Sequence, residues 1–310
     1  GPKEGRGPLK DYYDQIMGDT YNGEKSWEKT EAKMLETVLT GAATKAGVPV
    51  ESIDFILAGD LLNQIISSSF AARQLGIPFI GLYGACSTMA LSVALGAMLI
   101  EGGYAGKVLC AASSHHNTAE RQYRMPTEQG NQRAMYAQWT VTGAGSLLLA
   151  DSGTGPKVTT ATLGRVIDYG ETDTNNMGAA MAPAVADTII NHFQDLNRQP
   201  DYYDLIVTGD LGMIGLQMVK EILKKSNLNM GKNFSDCGVM IFSPKQDTHA
   251  GGSGCGCSAV VLSGYILNKM NSGELKKVLL IGSGALHSPT SALQGESIPA
   301  IGHAVSVEMI

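Results

Sequence analysis

Apolar residues recur along the chain in two alternating rhythms. Ser26 can cap a helix from Trp27 to about Ala46, with Trp27, Met34, Leu35, Val38, Leu39, Ala42 and Ala46 apolar; Gly47 stops it and Pro49 follows. Phe55-Ile-Leu-Ala58, entered from Asp54, is a short continuous apolar run, the pattern of a buried strand, and it ends at Gly59-Asp60. A helix to about Leu75 follows. Phe79–Tyr83 is a second such strand, closing at Gly84-Ala85-Cys86-Ser87-Thr88, where an apolar helix through Ile100 begins. Lys107–Ala112 is a third strand. Residues 113–138 are polar and are expected to form one long loop, a length that compact domains keep for function. Thr140–Ala150 and Lys157–Val166 are expected to be paired strands.

The plan then repeats. Asp204-Leu-Ile-Val-Thr-Gly-Asp-Leu211 matches Asp54-Phe-Ile-Leu-Ala-Gly-Asp-Leu61 at an offset of 150, and Gly256-Cys257-Ser258 matches Ala85-Cys86-Ser87 at an offset of 171. Each of the latter opens an apolar helix that ends near Gly102 or Gly273, and each helix is followed by Lys-Val-Leu, at 107–109 and 277–279. Three matched blocks in one order indicate an internal duplication, with halves at 1–168 and 169–310. Continuous apolar strands alternating with helices imply an α/β fold of buried, parallel or mixed sheets covered by helices on both faces.

Composition narrows the function. The formal net charge is −6 and no long basic run is present, which excludes a general nucleic-acid binder. The longest apolar run, Met89–Ile100, is too short to span a bilayer. Five cysteines, an odd number, with no signal peptide at the start, point to an intracellular chain with free thiols. Glycine is abundant, 38 of 310 residues, and several cysteines stand among the glycines.

Cys86 is the sharpest chemical candidate. At a strand-to-helix turn, free N–H groups and the helix dipole favour a thiolate, so it is either a nucleophile or pocket residue, or a small buried cysteine. Gly251–Ala259 (GGSGCGCSA) admits three roles: anion binding at a helix start, metal binding by Cys255 and Cys257 with Cys237 and His249, or close helix packing. The segment Ser113–Arg124 gathers His115, Glu120, Arg121 and Arg124 at a strand end, where they either meet a ligand or pair among themselves. Asp60 and Asp210, at equivalent strand ends, either cap helices or line a pocket, while His287 and His303 are expected to be structural.

Duplicated halves with a cysteine opening a buried helix in Gly84-Ala-Cys-Ser87 resemble the thiolase superfamily, and within it ketoacyl synthase III. That resemblance implies a five-layered α-β-α-β-α fold and a homodimer. Longer strings are similar to one sporulation family of that superfamily, the stage V sporulation AD proteins: Ala58–Gln64 (AGDLLNQ), Phe79–Thr88 (FIGLYGACST), Thr118–Gln122 (TAERQ), Gly178–Asp187 (GAAMAPAVAD) and Ala250–Val261 (AGGSGCGCSAVV). The resemblance covers nearly the whole chain, and because that family carries a further strand segment ahead of the position of Gly1, the chain is expected to be trimmed at its start. It implies binding of dipicolinic acid (pyridine-2,6-dicarboxylate), free or as its calcium chelate, for loading into developing spores. The partners it implies are the other SpoVA membrane proteins, at a site peripheral to the spore inner membrane, with no cofactor beyond calcium carried by the ligand. The synthases use Cys, His and Asn. Here the stretch after the second-half strand is Gly209-Asp-Leu-Gly212, with neither His nor Asn, and the nearest match to the last motif is Gly252-Ser253-Gly254. Cys86 therefore lacks its acid–base partners, no residue is assigned a catalytic role, and an acyltransferase or condensing enzyme using Cys86 is the alternative. The residues expected at the ligand are Cys86, Ser87, Asp60, Asn63, His115, Thr118, Glu120, Arg121, Asp210, Ser253 and Cys257.

Overall fold

A computed structural model describes residues 1–123 and 132–310. Its strands are β1 (Phe55–Gly59), β2 (Phe79–Gly81), β3 (Lys107–Ser114), β4 (Trp139–Thr140), β5 (Gly143–Ala150), β6 (Lys157–Leu163), β7 (Leu205–Thr208), β8 (Phe234–Asp236), β9 (Gly252–Ser253), β10 (Lys277–Ala285) and β11 (Ala300–Glu308). The helices are α1 (Trp27–Lys45), α2 (Ile66–Leu75), α3 (Thr88–Glu101), α4 (His116–Tyr123), α5 (Met177–Asp195), α6 (Gly212–Lys225), α7 (Cys237–Ile241), α8 (Cys255–Val260), α9 (Leu267–Asn271) and α10 (Pro289–Leu293). A π-helical stretch, Val261–Ile266, joins α8 to α9. As expected, Ser26 caps α1, its hydroxyl accepting from the Lys29 N–H.

Two sheets carry the duplication. The first runs β2-β1-β3-β5 and the second β6-β11-β10-β7-β8. In each, two strands pair parallel with a central one, and the next neighbour is antiparallel. Phe55 pairs with Val108 and Leu205 with Val278, so the registers repeat with offsets of 150 and 170. Even the outer ends match. Asp54 Oδ2 accepts from the N–H groups of Gly106 and Lys107, and Asp204 Oδ2 from those of Lys276 and Lys277.

Side-chain alternation along these strands builds three apolar layers. Ile56, Ala58 and Leu109 face Leu35 and Leu39 of α1 and Ala71 of α2. Leu57, Val108, Val278, Leu280 and Val305 point between the sheets, where α3 and α8 contribute Met89, Val93 and Ala259. Ile206, Leu279 and Ile281 face Met181, Val185 and Ile189 of α5 and Val219 of α6. The order is helix, sheet, helix, sheet, helix, the five-layered α/β arrangement.

Three sequence expectations are corrected. Residues 113–138 are not one loop: β3 runs on to Ser114 and α4 follows. The strands at 143–150 and 157–163 do not pair with each other. β5 lies antiparallel to β3 in the first sheet and β6 antiparallel to β11 in the second, so the second sheet draws on chain before residue 168. Cys86 and Cys257 are also placed differently: Cys86 precedes α3 in a turn, whereas Cys257 lies inside the first turn of α8.

Candidate functional site

The turn before α3 is tight and held from within. Ala85 adopts a left-handed conformation with φ of 48°, which costs a residue with a Cβ about 1–2 kcal/mol. The Ser87 hydroxyl donates to the Gly84 carbonyl at 2.6 Å, and the Thr88 hydroxyl donates to that of Ala85 at 2.7 Å. β10 passes directly against this turn at Gly284: a Cβ there would lie 2.2 Å from the Gly84 carbonyl oxygen. Glycine is required because a backbone fills the place of its side chain.

This packing presents Cys86 to a cavity lined by Leu61, Tyr83, Ala85, Cys86, Ala119, Tyr123, Thr140, Met177, Met181, Ser253, Ala285 and His287. β4 pairs with β9 so that Thr140 lies beside Ser253 on one wall. On another the Tyr83 and Tyr123 hydroxyls are 3.1 Å apart, and the Tyr123 hydroxyl also donates to the Leu61 carbonyl. The His287 ring lies 5.2 Å from that of Tyr123. The volume open to the centre of a water molecule is about 40 Å³, room for a few waters.

Behind Cys86 and Ser253 lies Asp210, fully buried at the end of β7. Its carboxylate accepts from Ser283 Oγ at 2.7 Å, the Gly254 N–H at 2.7 Å and Ser253 Oγ at 3.2 Å, and the Cys86 thiol faces it. Burial, then the negative charge of Asp210, push the Cys86 thiol well above the usual cysteine range. The surface Cys86 retains belongs to the cavity wall. A carboxylate beside the thiol opposes thiolate formation.

The other expected residues are dispersed. Ser87 closes the turn. Asp60 is buried and accepts from the Leu62 and Ser68 N–H groups and the Ser68 hydroxyl. Thr118 donates to Glu31 of α1, and Glu120 accepts from Thr140 one layer behind the cavity wall. Asn63 is exposed and pairs with Gln122. His115 bonds to the Thr20 carbonyl. Arg121 pairs with Glu28 at the surface, Cys257 lies in the core between the sheets, and Arg124 falls outside the described residues. Only Cys86 and Ser253 of the set line the cavity, with Asp210 touching both. His287, expected to be structural, is part of the wall. Tyr83, Tyr123, Met177 and Met181 are not among the expected residues, although all four stand in or beside the strings that carry the family resemblance. Among the described residues no group of three or more His, Cys, Asp or Glu is placed to hold a metal ion, and His249 bonds to the Ala134 carbonyl.

A family model described as Stage V sporulation protein AD matches residues 1–308. The chain belongs to that family. It is 46% identical to the Stage V sporulation protein AD of Bacillus subtilis strain 168 over 308 residues, 99% of this chain and 91% of the relative. A sporulation role follows from membership in the AD family. Solved structures similar to this AD-family chain include 3-oxoacyl-[acyl-carrier-protein] synthase III from Aquifex aeolicus, with a TM-score of 0.61 and 13% identity over 91% of this chain and 85% of that one. Another is Xanthomonas campestris OleA with bound lauric acid and lauroyl-CoA, at 0.62 and 14% over 90% and 82%. These likenesses establish the thiolase-like fold. Among the described residues no helix is long and apolar enough to cross a membrane.

A second buried acidic pair in this AD-family protein lies under α4. Glu31 accepts from Ser113 and Thr118; burial first, then the Asp60 charge, push it well above the usual carboxylate range, and burial raises Asp60 too. Carboxyls raised in the folded state contribute stability that is complete below their unfolded pKa and is lost as pH rises through the folded value. Buried His115, His192 and His303, held down at about 4, push stability the opposite way with pH, so the test is a difference between proteins. The melting temperature of wild type relative to Glu31→Gln is expected to fall as pH rises above about 5. A difference between the two proteins that does not change with pH would contradict the assignment.

Proposed function

We propose that this chain binds dipicolinic acid, free or as its calcium chelate, without chemically changing it. In this role it serves as the soluble, membrane-peripheral subunit that works with other SpoVA proteins to load the compound into developing spores. The observation that carries the non-enzymatic part is the Cys86–Asp210 contact, a thiol set against a carboxylate. The cavity supports an aromatic ligand: two tyrosines, two methionines and a histidine surround it, and Ser253 and Thr140 supply hydroxyls. Its small volume means that a pyridine ring enters as lining side chains move aside. A homodimer is supported by the free edge of β2, where neighbouring α2 exposes Ile66 and Phe70 and the strand leads to exposed Tyr83.

Calorimetric titration with dipicolinate and with its calcium chelate is expected to give saturable binding. Its absence for both, in folded protein, rules the proposal out. Cys86 is expected to react with iodoacetamide at about pH 8 more than ~10-fold slower than an exposed thiol, and Asp210→Asn to speed it. A mass gain on Cys86 after incubation with acyl-CoA would instead establish the acyltransferase alternative.

A further inference from the structure

We propose that Asp210 sets the charge of the ligand this cavity accepts: a carboxylate enters either with a proton taken up on Asp210 or with a cation already bound to the ligand. The inference rests on the dicarboxylate assignment above and concerns its form.

Among the described residues, no lysine or arginine lines the cavity. The described arginine once expected there, Arg121, is committed to Glu28. A dianion placed against Cys86 and Ser253 would meet the Asp210 carboxylate directly behind them, in a setting with little water to screen the repulsion. The titratable groups facing Asp210 do not relieve this. They are Cys86 from the turn before α3, Asp236 from β8, Cys237 from α7, and Cys255 and Cys257 from α8. Each is neutral or negative. The cavity wall adds Tyr83, Tyr123 and His287, the last being its one basic side chain among the described residues. Proton uptake on His287 would persist in Asp210→Asn, whereas uptake on Asp210 would not. The donors that hold Asp210, from Ser283, Ser253 and Gly254, are uncharged.

Protonation removes the repulsion. Burial already pushes the Asp210 carboxyl above the usual range, and an anion beside it pushes further the same way. By linkage, binding of the free ligand takes up a proton, so its affinity is greatest at low pH and falls as pH rises through the Asp210 value in the complex. The calcium chelate carries no net charge and escapes the penalty.

The test is calorimetry from about pH 6 to about pH 8 on wild type and Asp210→Asn, with pyridine-2,6-dicarboxylate plus a calcium chelator and, separately, with the preformed calcium chelate. Wild-type affinity for the free form is expected to fall by up to about tenfold per pH unit, while affinity for the chelate changes by less than about threefold. Asp210→Asn is expected to bind the free form with a flat profile and about tenfold tighter than wild type at about pH 8. Ser283→Ala keeps the carboxyl but removes one donor to it, so the fall in affinity moves to higher pH; this arm decides the matter should Asp210→Asn misfold. An unchanged slope in Asp210→Asn, or an unmoved profile in Ser283→Ala, overturns the charge rule and leaves the ligand assignment standing. No binding of either form to any of the three proteins overturns both.

Discussion

Gly284→Ala is expected to destabilise the protein by about 3 kcal/mol or more, in the upper range for overpacked interiors. The new Cβ would lie 2.2 Å from the Gly84 carbonyl oxygen, 3.1 Å from Ser87 Oγ and 3.2 Å from Ser87 N. None of these can swing aside, because two are backbone atoms and the hydroxyl is bound to the Gly84 carbonyl. β10 is held at this point by β11, Gly284 pairing with Ile301, and is anchored a few residues earlier by its pairing with β7 through Ile281. The comparison is Gly47→Ala, where nothing lies within 4 Å and φ is +67°. That change should cost only about 1 kcal/mol, the strain of a left-handed alanine. Urea denaturation of both variants checks the difference, and equal losses would show that the turn and strand can separate.

Asp236→Ala should cost about 4 kcal/mol. The carboxylate is fully buried at the end of β8 and accepts four hydrogen bonds: from Thr208 Oγ1 at 2.7 Å, Leu211 N at 2.8 Å, Gly212 N at 3.0 Å and Val239 N at 3.1 Å. It thus caps α7 and receives the backbone leading into α6 at once. Alanine would leave three N–H groups and a hydroxyl without this acceptor. Asp236→Asn keeps one acceptor oxygen and should lose roughly half as much. Burial, offset in part by these donors, places the Asp236 pKa at about 6. Equal stability of wild type and Asp236→Ala in urea would mean that water replaces the carboxylate.

Much of the architecture was legible because the duplication left matching apolar runs at β1 and β7 and at β3 and β10. The pairing of β5 and β6 was not. Two antiparallel-looking strands a few residues apart read as a hairpin, and nothing local says that the partner of β6 comes from the end of the chain. α4 was hidden for a different reason: it buries His116, Thr118 and Glu120, polar residues whose interior place hydropathy does not announce. At the site, Cys86 is legible from its turn, Asp210 from the repeated strand end it shares with Asp60, and Ser253 from motif comparison. The cavity wall draws on segments from Leu61 to His287, and no spacing rule gathers residues so far apart.

The placement of β6 also bears on how the chain folds. Thr160 meets Ser306 through their hydroxyls across 146 positions, and the whole ladder between β6 and β11 is similarly long in range. During synthesis, β6 emerges about halfway along these residues and must wait for Ala300–Glu308 before its partner exists. Closing so large a loop is slow. The second sheet is therefore expected to form its β7–β8 pair first and to add β6 only after the chain's last strand has arrived.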